Sequence, residues 1–182
     1  MNNISKNPIT PTMEDYLEAI YNLAREKRAV RVRDIAKKLD VKMPTVSNML
    51  KTLSERGLID YEKYEYLDLT VKGSDVGQEI DRRHQIFRRF LTDILKIDYN
   101  QADADACKME HAVSLATLEA FVDFMEFIDT CPRGGASWLD YFDEYRVHGQ
   151  PKDNCLDRMK QFAKEYNAKI KEMEKIKIEE EK

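Results

Sequence analysis

The sequence predicts a mainly α-helical protein with one small β-hairpin: an N-terminal winged helix-turn-helix, then a helical domain, then a charged helical tail. Three observations carry that prediction. Two short helical patterns, roughly Val32–Leu39 and one opening at Pro44 and Thr45, are joined by only Asp40, Val41 and Lys42. Alternating strand patterns follow at Leu58–Glu62 and Tyr66–Thr70, with Lys63, Tyr64 and Glu65 as the turn between them. Beyond that hairpin, apolar residues recur at helical rather than strand spacing.

Taken in order, the first helix is expected to begin near Thr12, with Pro11 before it, a threonine cap, and Glu14 and Asp15 suited to the positive helix N-terminus. Tyr16, Leu17, Ile20, Tyr21 and Leu23 form its apolar stripe. Ile35, Ala36 and Leu39 share one side of the second helix, and Val46, Met49, Leu50 and Leu53 one side of the third. Gly73 and Gly77 lie where the chain leaves the hairpin, and a long arginine-rich helix around His84 follows to about Phe90. Asp98–Asp105 reads as a polar loop leading to a helix from about Ala104 to Ile128. Leu115, Leu118, Phe121, Val122, Met125 and Phe127 make that helix apolar enough to need a partner helix, which a homodimer would supply. Pro132, Arg133, Gly134 and Gly135 break the pattern, and Trp138, Tyr141, Phe142 and Tyr145 form an aromatic cluster suited to docking on the body. From Leu156, the series Met159, Phe162, Tyr166, Ile170, Met173 and Ile176 marks an amphipathic helix in a charged background, two-stranded across a dimer or lying free on the surface.

Bulk properties narrow the class. The chain has 182 residues, 42% of them hydrophobic, enough for a core. No run approaches the roughly 20 apolar residues that span a bilayer, and Met1–Thr12 is polar rather than a basic-then-apolar signal, so the expected location is cytoplasmic and no membrane partner is expected. Three widely spaced cysteines, Cys107, Cys131 and Cys155, read as free thiols or metal ligands rather than a disulfide framework. The net charge of −4 conceals an asymmetry. From Arg31 to Arg56 seven basic residues face three acidic ones, a local +4 that leaves −8 for the rest. A basic window in an acidic chain is the footprint of a DNA-reading surface, although a solvated helix face has the same composition.

Two sets of residues carry chemistry. The third helix, as the recognition helix, presents Pro44, Thr45, Ser47 and Asn48 toward a major groove, where Asn48 can pair with an adenine edge, while Arg33, Lys42 and Lys51 are placed to neutralise phosphates. Thr45 and Ser47 have a plainer use as helix caps. The second set is Cys107, Glu110 and His111, spaced i, i+3, i+4 on one helix face: thiolate, carboxylate and imidazole, a transition-metal ligand set in which the sulfur argues against magnesium or calcium. Asp15 and Glu18 form another one-sided pair, and His84 adds a nitrogen. Each of these alone is also a common surface feature. Cys131, His148 and Cys155 are too irregularly spaced to make a second site of comparable weight.

The segments Thr12–Tyr21, Met43–Ser47, Gly57–Ile59, Leu69–Gly73, Arg83-His84 and Ala106–His111 together resemble, in order over roughly residues 10–128, the diphtheria toxin repressor and manganese transport regulator family. That resemblance implies a winged-helix domain, a helical metal-binding and dimerisation domain, and metal-activated binding of a homodimer to palindromic double-stranded operators of metal-uptake genes. Carried over by position, it implies Asp15, Glu18, His84, Cys107, Glu110 and His111 as ligands of iron(II) or manganese(II), with zinc, cobalt or nickel able to substitute in vitro. The match is a hybrid. An acid at Asp15 is similar to manganese-type members, where iron-type members have methionine; a cysteine at Cys107 is similar to iron-type members and to some manganese-type ones. A further iron-type ligand position falls on Arg88, which cannot bind a metal. The SH3-like third domain of longer members is not expected; a helical tail is.

The expected domains are 1–75, the DNA-binding winged helix; 76–145, the metal-binding and dimerisation domain; and 146–182, the tail. The expected function is metal-dependent transcriptional repression. The alternatives are a winged-helix regulator of a small organic ligand, with the cysteine and histidines structural, and a zinc hydrolase on Glu110 and His111. The hydrolase lacks a His-Glu-x-x-His motif, a glycine-rich phosphate loop and a nucleophile elbow, so no enzyme is expected.

Overall fold

Thr10, not Thr12, opens the first helix in the computed structural model, which describes residues 8–61, 67–130, 136–149 and 155–180. Helix α1 spans Pro11–Glu26; Pro11 takes the first helical position, where its fixed φ fits and its missing N–H costs nothing, and the Thr10 hydroxyl accepts from Met13 N at 3.4 Å. Helix α2 (Val32–Lys38) and helix α3 (Met43–Glu55) follow, with Asp40 in the left-handed conformation (φ 51°) turning the chain between them. Left-handed Gly57 ends α3, and Leu58 N reaches back to Leu53 O at 3.0 Å.

Strands β1 (Ile59–Tyr61) and β2 (Leu67–Leu69) pair antiparallel, Ile59 opposite Leu69 and Tyr61 opposite Leu67. The turn expected at Lys63–Glu65 lies outside the described residues. Met13, Leu17 and Ile20 of α1, Ile35 of α2, Val46, Leu50 and Leu53 of α3, and Ile59 and Leu67 of the hairpin close into one core. This is the winged helix-turn-helix that the sequence predicts.

Helix α4 (Val71–Arg89) takes in both glycines that were expected to precede it. Close packing is the reason. A Cβ on Gly73 would stand 1.8 Å from Leu58 O, and one on Gly77 2.8 Å from Tyr21 Cβ and 2.9 Å from Leu17 O, so glycine lets α4 lie directly on β1 and α1. Helix α5 (Tyr99–Met109) overturns two expectations. Its first turns occupy the supposed polar loop, since Ala102 and Ala106, one helical turn apart and fully buried, face inward toward α4 while the polar residues face out. The continuous helix expected from Ala104 to Ile128 is broken: α5 ends at Met109, residues 110–114 turn, and helix α6 runs Leu115–Thr130.

The chain divides into two compact units, the first comprising everything up to Arg89 together with Tyr99–Ser114, the second Phe90–Asp98 with Leu115 onward. In the second, a π-helical turn at Phe90–Ile94 packs on α6, Phe90 meeting the Phe121 ring edge-on at 4.6 Å. Leu118, Met125 and Ile128 are buried, whereas Leu115, Phe124 and Phe127 remain exposed in the single chain. Helices α7 (Ala136–His148) and α8 (Cys155–Glu180) complete it. On α8 Phe162 stacks on Tyr166 at 6.0 Å, and Phe162, Ile170, Met173 and Ile176 are exposed, the amphipathic series read from the sequence. Cys131, the 132–135 break and the side chains of Trp138, Tyr141 and Cys155 lie outside the described residues, and with them the aromatic cluster and the Cys131–His148–Cys155 grouping.

Candidate metal centre and nucleic-acid interface

Helix α1 presents Glu14, Asp15 and Glu18 from successive turns toward α4 and the end of α5. Asp15 comes together with Cys107, Glu110 and His111, their ligand atoms all within 4.8 Å of one another; Glu18, His84 and Glu110 form a second such group. All six residues singled out from the sequence are thus gathered, and Glu110 belongs to both groups. Glu110 and His111 follow the last residue of α5, and Glu110 N still bonds to Ala106 O at 3.0 Å, so the helical offset from Cys107 persists one turn past the helix.

Glu110 is fully buried. Its Oε2 lies 2.9 Å from His84 Nδ1, but its Oε1 has no hydrogen-bond partner; His111 Nε2 is 3.3 Å away without bonding geometry. His111 instead places Nδ1 2.7 Å from Glu14 Oε2 and Nε2 2.7 Å from Asp15 Oδ1, and His84 Nε2 lies 3.0 Å from Asp103 Oδ1. Glu14 and Asp103 are the contributors that the sequence reading misses. Asp103 stands four residues before Cys107, a helical spacing that was there to be read; taking 98–105 as loop hides it.

The electrostatics show a site short of positive charge. The Glu110 hydrogen bond, reinforced by Asp103, pushes His84 up to about 9. Burial opposes the rise at His111 but is outweighed by its bonds to Glu14 and Asp15. Burial, then the neighbouring Glu110, raises Glu18 to about 7, and burial with the same carboxylate raises the Cys107 thiol to about 11. The surrounding carboxylates keep the histidines protonated, and burial together with those carboxylates keeps Glu18 and Cys107 so. A divalent transition metal fits on three counts: a buried carboxylate oxygen without a partner, a mixed sulfur, nitrogen and oxygen donor set, and an excess of acidic groups that a dication would neutralise.

The other candidate surface lies on α2 and α3. Val46, Leu50 and Leu53 face the core, leaving Lys42, Pro44, Thr45, Asn48 and Lys51 exposed on the opposite side, with Ser47 half-buried and Arg33 exposed on α2. The cap position of α3 is Lys42, with no side-chain cap bond, so neither Thr45 nor Ser47 serves as the cap. Short polar groups at the start of an exposed helix flanked by cations suit a major groove and its phosphates.

Comparison with known proteins matches two successive stretches of the chain to family models. Residues 8–67 match the family model of the iron dependent repressor N-terminal DNA binding domain, and residues 70–139 that of the iron dependent repressor metal binding and dimerisation domain. An uncharacterised HTH-type transcriptional regulator of Methanocaldococcus jannaschii is 38% identical over 119 residues, 65% of this chain and 95% of that protein. The HTH-type transcriptional regulator MntR of Bacillus subtilis is 36% identical over 120 residues, 66% of this chain and 84% of that one. Among solved structures, the manganese regulator SloR aligns with a TM-score of 0.58 at 31% identity over 68% of this chain and 58% of its own. A manganese-dependent transcriptional repressor in complex with manganese aligns with a TM-score of 0.58 at 27% identity over 66% of this chain and 56% of its own. The chain therefore spans under three fifths of the length of these solved relatives. No described helix is long and apolar enough to cross a membrane.

Proposed function

The chain belongs to the iron-dependent repressor family, and on that premise we propose that it is a metal-dependent transcriptional repressor, a homodimer that binds operator DNA when iron(II) or manganese(II) is bound. The observation that carries this reading is Glu110: a fully buried carboxylate with one oxygen left without a hydrogen bond, shared by two donor groups drawn from α1, α4 and the end of α5. Asp15, Glu18, His84, Cys107, Glu110 and His111 hold the metal. It supplies positive charge that the cluster otherwise takes from protons.

Asp15 and Glu18 sit on α1, whose buried stripe is part of the winged-helix core, and the remaining ligands sit on α4, on α5 and in the turn that follows α5. Drawing those carboxylates together ties the winged helix to the helices beside it and narrows the positions that α3 samples. A coupling of about 1–3 kcal/mol per site, the usual range for such linkage, tightens DNA binding roughly 5- to 150-fold. In the dimer, the exposed Leu115, Phe124 and Phe127 of α6 offer an apolar face to a second copy, and two recognition helices read a palindrome in successive major grooves. The regulator acts in the cytoplasm, on DNA, and has no catalytic role. A regulator of an organic ligand is not favoured, because residues 70–139 match a metal-binding domain.

The test is anaerobic fluorescence anisotropy on a library-selected duplex, first with chelator and then with iron(II), manganese(II) and zinc(II). Binding that requires iron(II) or manganese(II) supports the reading and selects the metal. Equal binding with chelator throughout would leave a DNA-binding protein and remove metal as its signal.

A further inference from the structure

Asp103 belongs to neither donor group, yet its Oδ1 lies 3.0 Å from His84 Nε2, on the far side of the ring from Glu110. The same oxygen accepts from Arg88 Nη1 at 3.3 Å. Arg88 is itself held: Nη1 donates to Tyr99 OH at 2.7 Å, the guanidinium lies over the Tyr99 ring at 5.0 Å, and Nη2 donates to Gln85 Oε1. A neutral imidazole has one N–H and one lone pair, and whichever nitrogen meets a fixed acceptor keeps the proton. An ionised carboxylate can only accept. Without metal both ring nitrogens face a carboxylate, Nδ1 at 2.9 Å from Glu110 Oε2 and Nε2 at 3.0 Å from Asp103 Oδ1. When a metal takes one proton's place, Nδ1 is the nitrogen that gives it up, because Glu110 stands in a donor group with Glu18 while Asp103 is already paired with Arg88 and keeps Nε2–H. The guanidinium already neutralises Asp103, so this carboxylate is spent on orientation and is not offered to a cation.

We propose that Asp103, anchored by Arg88 and Tyr99, is a positioning residue that fixes His84 with its proton on Nε2 and its lone pair on Nδ1 toward Glu18 and Glu110. The inference rests on the metal-binding reading above. Removing the outer partner of a ligating histidine typically weakens metal binding roughly 10- to 100-fold, and that is the loss expected for Asp103→Ala at this half of the site. Asp103→Asn keeps an oxygen that accepts from Nε2–H and recovers most of that loss. Arg88→Ala, which frees the carboxylate without deleting it, falls between.

Two readouts test this on the whole 182-residue chain. Anaerobic cobalt(II) titrations, followed by d–d absorption, compare wild type with Asp103→Ala, Asp103→Asn and Arg88→Ala, with circular dichroism to confirm folding. In zinc(II)-loaded protein labelled with 15N-histidine, long-range 1H–15N spectra report the His84 nitrogens directly, and the expectation is a protonated Nε2 with Nδ1 shifted by the metal. Unchanged cobalt affinity and spectrum in folded Asp103→Ala, or a metal-shifted unprotonated Nε2 in wild type, overturns the proposal and leaves metal binding intact. A wild type that takes up no cobalt(II) or zinc(II) removes the metal reading itself, and this inference with it. Should Asp103→Ala fail to fold, the Asp103→Asn titration and the wild-type spectrum still decide.

Discussion

His84 Nδ1 lies 2.9 Å from Glu110 Oε2, joining α4 to the turn after α5 across 26 residues of chain at a point where Glu110 is wholly removed from water. A buried carboxylate is tolerated only with partners, and here one oxygen has the histidine while the other has none. Glu110→Ala is therefore expected to abolish the metal dependence of operator binding, since both donor groups lose their common member, while the winged-helix core, which it does not enter, stays folded. Anisotropy titrations with and without metal, alongside circular dichroism, check this. A variant that still required metal for DNA binding would place the ligands elsewhere.

Protons and metal compete for the same atoms, and the direction of each shift sets the pH dependence. His84, raised from 6.5 to about 9, contributes stability to the metal-free fold that is complete below its unfolded value and lost as pH rises through about 9. Glu18, raised from 4.5 to about 7, acts in the same sense over a lower window, because the folded chain again binds the extra proton. The metal-free protein should thus become less stable between about pH 5 and pH 9, while metal affinity climbs as His84 and Cys107 surrender their protons. The gap in melting temperature between manganese-loaded and metal-free protein is expected to widen from about pH 6 to pH 9, with protons released on binding in calorimetry across buffers. A gap that narrows with rising pH would contradict this charge balance.

Gly73 and Gly77 test the packing that brings α4 to α1. At Gly77 an added methyl gains up to about 1 kcal/mol of helix propensity but meets Tyr21 Cβ at 2.8 Å and Leu17 O at 2.9 Å, and overpacking of that kind costs about 1–3 kcal/mol. Gly77→Ala should lower the melting temperature modestly. Gly73→Ala, with Leu58 O at 1.8 Å, cannot be relieved by a side-chain rotation and should destabilise more, with a lower yield of folded protein. Thermal melts of the two variants rank them.

The contrast between those glycines and the donor residues shows what the sequence makes legible. Asp15 with Glu18, and Cys107 with Glu110 and His111, are local: helical periodicity alone puts them on one side, and the structure gathers them. The helix-turn-helix and hairpin are legible for the same reason. The close approach at Gly73 depends on how α4 meets β1, a tertiary fact with no local signature. The break at 110–114 is intermediate. Nothing there resembles a proline or glycine stop, and the turn coincides with Glu110 and His111 facing α4 and α1, although Ser114 just before α6 is the residue type that starts helices. Ala102 and Ala106, at a four-residue interval in an acidic stretch, are the overlooked sign that α5 begins at Tyr99.

Asn48 and Lys51, both exposed on α3 and three residues apart, should fail in different ways when truncated. An amide paired to an adenine edge distinguishes one base from another and is worth about 1–3 kcal/mol, so Asn48→Ala should lose affinity on the preferred operator and flatten its preference over point-mutated operators. An ammonium on a phosphate is indifferent to sequence. Lys51→Ala should weaken binding to all duplexes alike and reduce the slope of log affinity against log salt by about 1, the share of a single phosphate-neutralising cation. Anisotropy titrations in manganese(II), on matched and mismatched duplexes from about 50 to 200 mM salt, separate the two. Identical losses on every duplex for Asn48→Ala would show that this face of α3 grips the backbone and that base reading lies on other residues.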